Sequence, residues 1–376
     1  MGIAYNLKGG CMPWREELRH NICTIEQLKK YIMLTPKEEK QLQRVIEIHP
    51  MSITRYYISL IDRNDPLDPI KKMVVPSIEE LDISGSYDPS GEIQVTKMQG
   101  LQHKYVTTAL ILSTNRCASY CRYCFRKRLV GVPTEEIINK FDKAVRYIKE
   151  HKEINNVLIS GGDPFTLPSK VIENFLKKLS NIPHLYFIRF GTKIPIIFPD
   201  RILEDEELLS ILKKHSLPNR RIYVNTQFNH PRELTRKSIR ALNKLIRRSI
   251  VINNQSVLLK GVNDNPDTLA ELQNKLSGIG IIPYYIFQCR PVKRVKHNFQ
   301  VPLYRGYKII EQAKMQLNGH SKRFRYVMSH RTGKIEIIGI SDNEIYFRYH
   351  EARDFRNYGR FFNKPLSKTA GWLDDF

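Results

Sequence analysis

The chain has 376 residues, 41% of them hydrophobic, and a formal net charge of +23 from 61 Lys and Arg against 38 Asp and Glu. This length and composition suit a globular protein with a large core, and six cysteines are too few for a disulfide-stapled scaffold. Since the sequence has no run of eighteen apolar residues and no apolar signal core, we expect a cytoplasmic protein without a membrane partner.

The basic charge is spread along the chain, with only short knots such as residues 126–128. Such a distribution favours a solvated basic surface. A polyanionic partner such as nucleic acid is the alternative interpretation of the same charge.

Residues 1–100 are predicted to form a helical N-terminal accessory region that ends in a connector. Apolar residues at helical spacing and start signals such as "TPKEEK" indicate short helices there. The Gly-, Ser- and Pro-containing stretch "DISGSYDPSGEIQ" (82–94) is the best candidate for the boundary.

Residues 101–300 alternate short apolar runs with amphipathic helical segments, the pattern of six βα units. The apolar runs are "TTALILS", "NNVLISGG", "HLYFIRFG", "RIYVNTQF", "NQSVLLKGV" and "IIPYYIFQC". The alternation predicts an α/β fold with a parallel sheet, open or curled into a full or partial barrel, whose ligands gather at the C-terminal strand ends. Residues 301–376 are expected to add a helix and a strand-rich extension with turns at "RTGK" and "SDNE".

Three cysteines lie together in "CASYCRYCF", directly after the first predicted strand, at the spacing C-x3-C-x2-C. A structural zinc site usually takes four ligands, whereas a 4Fe-4S cluster held by three thiolates leaves one iron open. An open iron is what chelation of S-adenosylmethionine (SAM) requires, and reduction of that chelate yields a 5'-deoxyadenosyl radical. The pattern, together with the glycine turn "SGGDP" after the second strand, is the signature of the radical SAM superfamily. A fourth thiolate is available in principle from Cys11, Cys23 or Cys289.

Longer motifs resemble one family within that superfamily. "TIEQLKKYIMLTPKEE", "CASYCRYCFRKRLVG", "LISGGDPF", "IRFGTKIPIIFPDRI", "VNTQFNHPRELT" and "NNQSVLLKGVNDN" are similar, in this order, to the lysine 2,3-aminomutase family over about residues 14–340. The resemblance implies the partial (βα)6 barrel of radical SAM enzymes. It also implies an isomerase that moves an amino group from Cα to Cβ of an amino acid, by means of a 5'-deoxyadenosyl radical and an aldimine of pyridoxal 5'-phosphate (PLP).

The resemblance also implies partners and site residues. The partners are a small-molecule amino acid and a reductant such as flavodoxin or ferredoxin. A homo-oligomer is possible, but the family's interface zinc should be absent because its cysteines are missing here. The implied cluster ligands are Cys117, Cys121 and Cys124. Residues implied to contact SAM are Ser160, Gly161, Gly162 and Asp163 at the methionine end, with Gln255 near the ribose and Gln227 close by.

Two basic residues are implied to act on the substrate and on PLP. Arg126 matches the arginine that pairs with the substrate α-carboxylate, with a solvated member of a charge run as the alternative. Lys334 in "SHRTGKIEI" matches the lysine that carries PLP, with an exposed hairpin residue as the alternative. Where the family has two arginines for the cofactor phosphate, this chain has Lys104 and Thr108, so one cation is missing.

Substrate choice is expected to differ from that of lysine-specific members, which place aspartates where this chain has Arg290 and Ser329. An arginine facing a lysine ammonium would be unfavourable, so glutamate is the simplest candidate substrate. An outward-pointing Arg290 would leave specificity open. The alternative function is a radical SAM enzyme on the same scaffold, with weak or no use of PLP, that modifies a polyanionic or macromolecular substrate.

Overall fold

The structure is a computed structural model that describes residues 13–376. Its centre is one sheet of twelve strands whose spatial order follows the chain. The strands are β1 (Thr96–Met98), β2 (Leu101–Tyr105), β3 (Thr108–Thr114), β4 (Asn156–Gly161), β5 (Phe187–Gly191), β6 (Ile222–Thr226), β7 (Val251–Leu258), β8 (Ile282–Gln288), β9 (Arg325–His330), β10 (Gly333–Ser341), β11 (Glu344–Ala352) and β12 (Phe361–Pro365).

Strands β3 to β9 are parallel neighbours, and the pairings at both ends of the sheet are antiparallel. The predicted βα units are confirmed, since β3 to β8 coincide with the six apolar runs. Strand β9 adds a seventh parallel strand, which the sequence pattern did not distinguish from the rest of the C-terminal extension.

The helices cover the sheet and form the N-terminal layer. They are α1 (Pro13–Arg19), α2 (Ile25–Leu28), α3 (Pro36–Ile48), α4 (Arg55–Ile58), α5 (Pro69–Val74), α6 (Phe141–Glu150), α7 (Ser169–Ser180), α8 (Ile194–Ile197), α9 (Asp200–Leu203), α10 (Glu206–His215), α11 (Arg236–Ile246), α12 (Pro266–Gly278), α13 (Lys296–Phe299) and α14 (Leu303–Met315). Helix α3 begins where "TPKEEK" predicts, because Thr35 and Glu38 exchange side-chain-to-backbone hydrogen bonds in a capping box.

The sheet curls into a partial barrel and does not close by strand pairing within residues 13–376. Its seam, between β2 and β9, is bridged instead by the connector that follows the N-terminal helices and by a side chain of β2. The Ser90 hydroxyl donates to the Ser329 carbonyl at 2.8 Å, and Lys104 Nζ donates to the His330 carbonyl. The connector is therefore part of the barrel wall, although its composition indicates only a linker.

Two hydrophobic clusters support the sheet. The larger packs the helices against the parallel strands and extends into the N-terminal layer. The smaller joins α12 and α14 to the strands of the C-terminal extension, with Trp372 buried among them. Because the sheet runs without a break from β1 to β12, the domain boundaries at residues 100 and 300 stay predictions.

Candidate active site

A cavity of about 320 Å³ lies inside the partial barrel. Side chains that alternate along the inner strands face it, as expected from the two-residue period of a β-strand. Every site residue proposed from the sequence lines this cavity: Lys104, Cys117, Cys121, Cys124, Arg126, Ser160, Gly161, Gly162, Asp163, Gln227, Gln255, Arg290, Ser329 and Lys334. The structure thus brings together residues that are more than 200 positions apart.

The three clustered cysteines lie in the loop after β3. Burial raises the pKa of the Cys124 thiol to about 11, and the neighbouring Cys121 adds to the shift. Burial raises the pKa of Cys117 as well, with further contributions from Asp163 and the other two thiols. Because the pKa values of Cys117 and Cys124 are raised, these half-buried thiols need a positive partner to become thiolates, so the donor chemistry fits an iron-sulfur cluster.

The residues that the structure describes contain no group of Cys, His, Asp or Glu side chains arranged to hold a single metal ion. A 4Fe-4S cluster differs from such a site, because each of its thiolates binds a different iron. Of the remaining cysteines, Cys289 lines the cavity and Cys23 is exposed. Cys11 lies outside the described residues.

A buried ion-pair group ties the cysteine loop to the N-terminal region. Glu80, in the 3-10 helix Ile78–Leu81, accepts hydrogen bonds from Arg122 Nε and Nη2, each at 2.7 Å, and from Lys127 Nζ. Burial alone would raise the pKa of Glu80, but Arg122 and Lys127 outweigh it and hold that pKa below its usual value. Both cations flank Cys124, so this group fixes the loop that carries the thiols.

Replacing Glu80 by glutamine is expected to lower the free energy of unfolding by about 3–5 kcal/mol, because Arg122 and Lys127 would remain buried without a counter-charge. Urea denaturation monitored by circular dichroism measures the change. The matched control is Glu206→Gln, which breaks exposed ion pairs with Lys244 and Arg248 and should cost under about 1 kcal/mol.

Low pH is expected to weaken the ion-pair group of Glu80, Arg122 and Lys127. Because the pKa of Glu80 is depressed in the folded protein, its contribution is full above the ordinary glutamate pKa and is lost as the pH falls through the folded value. Equal losses of unfolding free energy in Glu80→Gln and Glu206→Gln would contradict the role assigned to Glu80.

The glycine turn after β4 packs against the backbone that precedes Cys117. Gly161 has a φ of +118°, and a Cβ on Gly162 would lie 2.3 Å from the Arg116 carbonyl oxygen, so no larger residue fits at either position. Asp163 anchors the turn, since its carboxylate accepts from Thr192 Oγ1 and from the Lys193 amide, both at 2.7 Å. Burial raises the pKa of Asp163 to about 6 in spite of these hydrogen bonds.

Arg126 is 3% exposed, so its interpretation as a solvated charge is wrong. Its guanidinium pairs with Glu92 of the connector, with Nη2 at 2.8 Å from Oε1, and its Nη1 donates to Ser160 Oγ at 3.0 Å. Glu92 also accepts from Arg128 at 2.7 Å. Burial alone would raise the pKa of Glu92, but Arg126 and Arg128 reverse the shift. Arg126 is thus held next to the glycine turn.

Lys334, the second residue of β10, is 9% exposed, so its interpretation as an exposed hairpin residue is wrong. Its Nζ donates to Glu351 Oε2 at 3.1 Å. The ammonium also lies 4.8 Å from the ring centroid of Tyr285 and 5.2 Å from that of Tyr105. Ser329 is its register partner on β9.

Arg290 follows β8 and faces the cavity, which excludes the outward orientation considered from the sequence. Its Cζ lies 3.8 Å from the centroid of the Phe125 ring. Burial lowers the pKa of Arg290 to about 10, and Arg126 adds to the shift while Glu92 opposes it. Within residues 13–376 Arg290 forms no ion pair, so its charge is available to a ligand.

The two positions aligned with the family's phosphate-binding arginines are Lys104 and Thr108, and each is engaged by protein groups. Lys104 Nζ donates to the carbonyls of Ser90, at 2.9 Å, and His330 at the seam of the barrel. Burial lowers the pKa of Lys104 to about 7, and Arg290 adds to the shift. Thr108 hydrogen-bonds with the side chain of Asn156.

Several cavity residues were not identified from the sequence. Glu92 lies in a stretch with linker composition, and Glu351 lies in an alternating strand, so neither gave a signal. Arg189 did give one, because an arginine inside the apolar run "HLYFIRFG" is unusual for a buried strand.

The chain is similar to known proteins over most of its length. Residues 111–272 match the family described as "Radical SAM superfamily". The chain is 41% identical over 349 residues to a protein of Aquifex aeolicus (strain VF5), covering 92% of this chain and 93% of that protein. It is 39% identical over 367 residues to the L-lysine 2,3-aminomutase of Clostridium subterminale, covering 95% and 85%. It is 35% identical over 308 residues to the glutamate 2,3-aminomutase of Clostridioides difficile (strain 630), covering 81% and 71%.

The fold, the cysteine loop and these matches define a radical SAM enzyme of the isomerase class. The chain belongs to the lysine 2,3-aminomutase family, which here includes a relative named for glutamate. In the described part of the chain, no helix combines the length and apolarity needed to cross a bilayer.

Proposed function

We propose that the protein is an amino-acid 2,3-aminomutase that uses PLP on Lys334 and acts on an amino acid with an anionic side chain, glutamate first. The observation that carries this proposal is that Lys334 lines the same buried cavity as Cys117, Cys121 and Cys124. A lysine of a solvent-exposed hairpin would point to solvent instead of lining this cavity. The relatives named for lysine and glutamate support the reaction class.

The cavity residues divide the work between two ends. When bound, the cluster with SAM supplies a radical that abstracts hydrogen, and PLP supplies a covalent attachment for the substrate nitrogen. At one end, the glycine turn and Arg126 orient a ligand beside the cysteines. At the other end, Glu351 holds the ammonium of Lys334 at 3.1 Å and can accept its proton when Nζ acts as a nucleophile. The apolar residues Leu110, Leu158 and Phe287 on the cavity wall would limit the access of water to the bound groups.

The charge of the cavity supports an anionic substrate. Its basic side chains are Lys104, Arg126, Arg189, Lys193, Arg290 and Lys334. The carboxylates among its lining residues are Glu92, Asp163 and Glu351, each already bonded to protein groups. A lysine side chain would bring another cation into this excess, whereas a second carboxylate would meet the unpaired Arg290.

Arg290→Gln is expected to lower kcat/KM for glutamate about 100-fold, because the side-chain carboxylate would lose its cation in the cavity. The measurement uses reduced, anaerobic enzyme with SAM and PLP, and follows β-amino-acid formation from glutamate and from lysine. Lys293→Gln removes a charge from the same loop outside the cavity and should change neither rate more than about twofold.

Three outcomes would count against the substrate assignment. A wild-type enzyme that prefers lysine would refute it, as would an Arg290→Gln variant with unchanged selectivity. If no amino acid reacts and the protein instead retains nucleic acid with a steep salt dependence, the polyanionic alternative takes its place.

A further inference from the structure

Among residues 13–376, four buried side-chain atoms in residues that line the barrel cavity have no hydrogen-bond partner. They are Gln102 Nε2, Arg189 Nε, Asn225 Nδ2 and Thr226 Oγ1, and all four residues line the cavity. Buried donors are normally satisfied, and leaving one without an acceptor is costly. A cavity wall that holds several of them is built for a polar ligand, and the guanidinium of Arg189 is the charged member of the set.

Arg189 is the third residue of β5, and its side chain points into the barrel. One nitrogen, Nη2, donates to Asn156 Oδ1, while Nε has no partner. Its Cζ lies 5.7 Å from the centroid of the Phe187 ring. Among residues 13–376, no carboxylate forms an ion pair with Arg189. Since a guanidinium stays protonated in proteins, Arg189 is a half-buried positive charge that has a buried Nε and, in the part of the chain that the structure describes, no counter-ion.

Thr108 and Asn156 extend the same donor set across two neighbouring strands. They are register partners on β3 and β4, and Asn156 Nδ2 lies 3.1 Å from Thr108 Oγ1. Asn156 in turn accepts from Arg189 on β5. A hydroxyl, an amide and a guanidinium therefore form a continuous hydrogen-bonded row, in which Thr108 and Arg189 line the cavity and Asn156 links them.

This row lies within electrostatic reach of the surroundings of Lys334. Burial lowers the pKa of Arg189, and Tyr284, Glu351 and Tyr285 counteract that shift. Glu351 is the hydrogen-bond partner of Lys334, and the Tyr285 ring is one of the two that its ammonium contacts. An anionic group on a ligand held by Lys334 would thus meet Arg189 across the cavity.

The two positions expected to bind a phosphate do not provide a free cation. Lys104 is bonded to two backbone carbonyls at the barrel seam, and Thr108 is uncharged. Arg189 supplies the missing charge, and its planar fork suits two oxygens of one phosphate.

We propose that Arg189, supported by Thr108 and Asn156, binds the phosphate of PLP attached to Lys334. The proposal rests on the proposed function, because it requires PLP on that lysine. It assigns the phosphate to the β3–β5 wall of the barrel instead of the seam.

The test compares PLP with pyridoxal, which has the same ring and aldehyde but no phosphate. Dissociation constants are measured from the lysine-dependent absorption band of wild type and of Arg189→Gln. We expect the variant to bind PLP about 10- to 100-fold more weakly and pyridoxal within about twofold of wild type, since only the phosphate contact is lost. The matched control is Arg221→Gln, just before β6 and outside the cavity, which should leave both constants unchanged.

Thr108→Val keeps the shape of the side chain, and it supplies an independent test if Arg189→Gln does not fold. It should weaken PLP binding about threefold to tenfold and spare pyridoxal. An unchanged preference for PLP over pyridoxal in both variants overturns the proposal. So does a loss of that preference in Lys104→Gln alone, which would place the phosphate at the seam.

Two further outcomes separate this inference from the proposed function. If wild type shows no lysine-dependent band with either compound, the use of PLP itself fails and the phosphate site fails with it. If Arg189→Gln keeps its preference for PLP but raises KM for the amino acid, Arg189 binds a substrate carboxylate, and only the phosphate assignment is overturned.

Discussion

Replacing Cys124 by alanine is expected to abolish the reductive cleavage of SAM and to remove most of the iron from anaerobically reconstituted protein. The cavity holds three thiols in one loop, and each would bind a different iron of a 4Fe-4S cluster. Loss of one leaves two protein ligands, which are too few to retain the cluster. Iron analysis, the visible absorption of the cluster and formation of 5'-deoxyadenosine measure the effect.

The chain offers two cysteine controls. Cys23→Ala changes an exposed thiol and should leave about four irons per chain. Cys289→Ala changes a thiol that lines the cavity, and burial raises the pKa of that thiol to about 12. We expect it to retain the cluster too. If Cys289→Ala loses iron while Cys124→Ala retains it, the ligand set derived from the spacing C-x3-C-x2-C is wrong.

The fold was accessible from the sequence because its elements carry local signals. The six apolar runs alternate with amphipathic helices, and each becomes a parallel strand of the barrel. Strand β9 carries the same kind of apolar pattern as the hairpin strands after it, so its parallel pairing with β8 depended on contacts that no local pattern encodes.

The candidate site was predictable in part, for a different reason. Cys117, Gly161 and Lys334 stand in motifs, and a motif specifies residue type and spacing together. The residues that pair with them do not belong to motifs. Glu92 pairs with Arg126 from 34 positions away, and a glutamate in a Gly- and Pro-containing stretch is ordinary in a solvated turn. Only the curling of the sheet shows that the connector lies at the seam of the barrel.

Charge patterns were the least informative signal. Residues 126–128 form a basic knot that is typical of a solvated face, yet Arg126 and Lys127 are buried and paired with Glu92 and Glu80. A buried cation needs its counter-charge from a distant segment, so a sequence window around the cations cannot reveal whether they are buried. Arg189 is the exception, because an arginine inside an apolar strand is unusual and can be recognised from the sequence.

Replacing Lys334 by alanine is expected to eliminate the absorption band that PLP forms with the wild-type protein and to abolish β-amino-acid formation. The iron content should stay at the wild-type level, because the cysteines lie in the loop after β3, on a different part of the cavity wall. Lys334→Arg keeps a positive charge beside Glu351 but cannot form the covalent bond, so it should fail in the same way. The exposed Lys322→Ala serves as the matched control.

Lys104 is the alternative lysine for the covalent attachment of PLP, and the experiment distinguishes it from Lys334. It lines the same cavity, and burial lowers its pKa to about 7, which would make it the readier nucleophile at neutral pH. Its Nζ, however, is engaged with two carbonyls that bridge the barrel seam, whereas Lys334 lies between two aromatic rings with a carboxylate to take its proton. A band that survives Lys334→Ala and disappears in Lys104→Ala would move the covalent attachment to Lys104. The reverse result fixes it on Lys334, because the two lysines share the cavity and its net positive charge and differ chiefly in what holds their nitrogen.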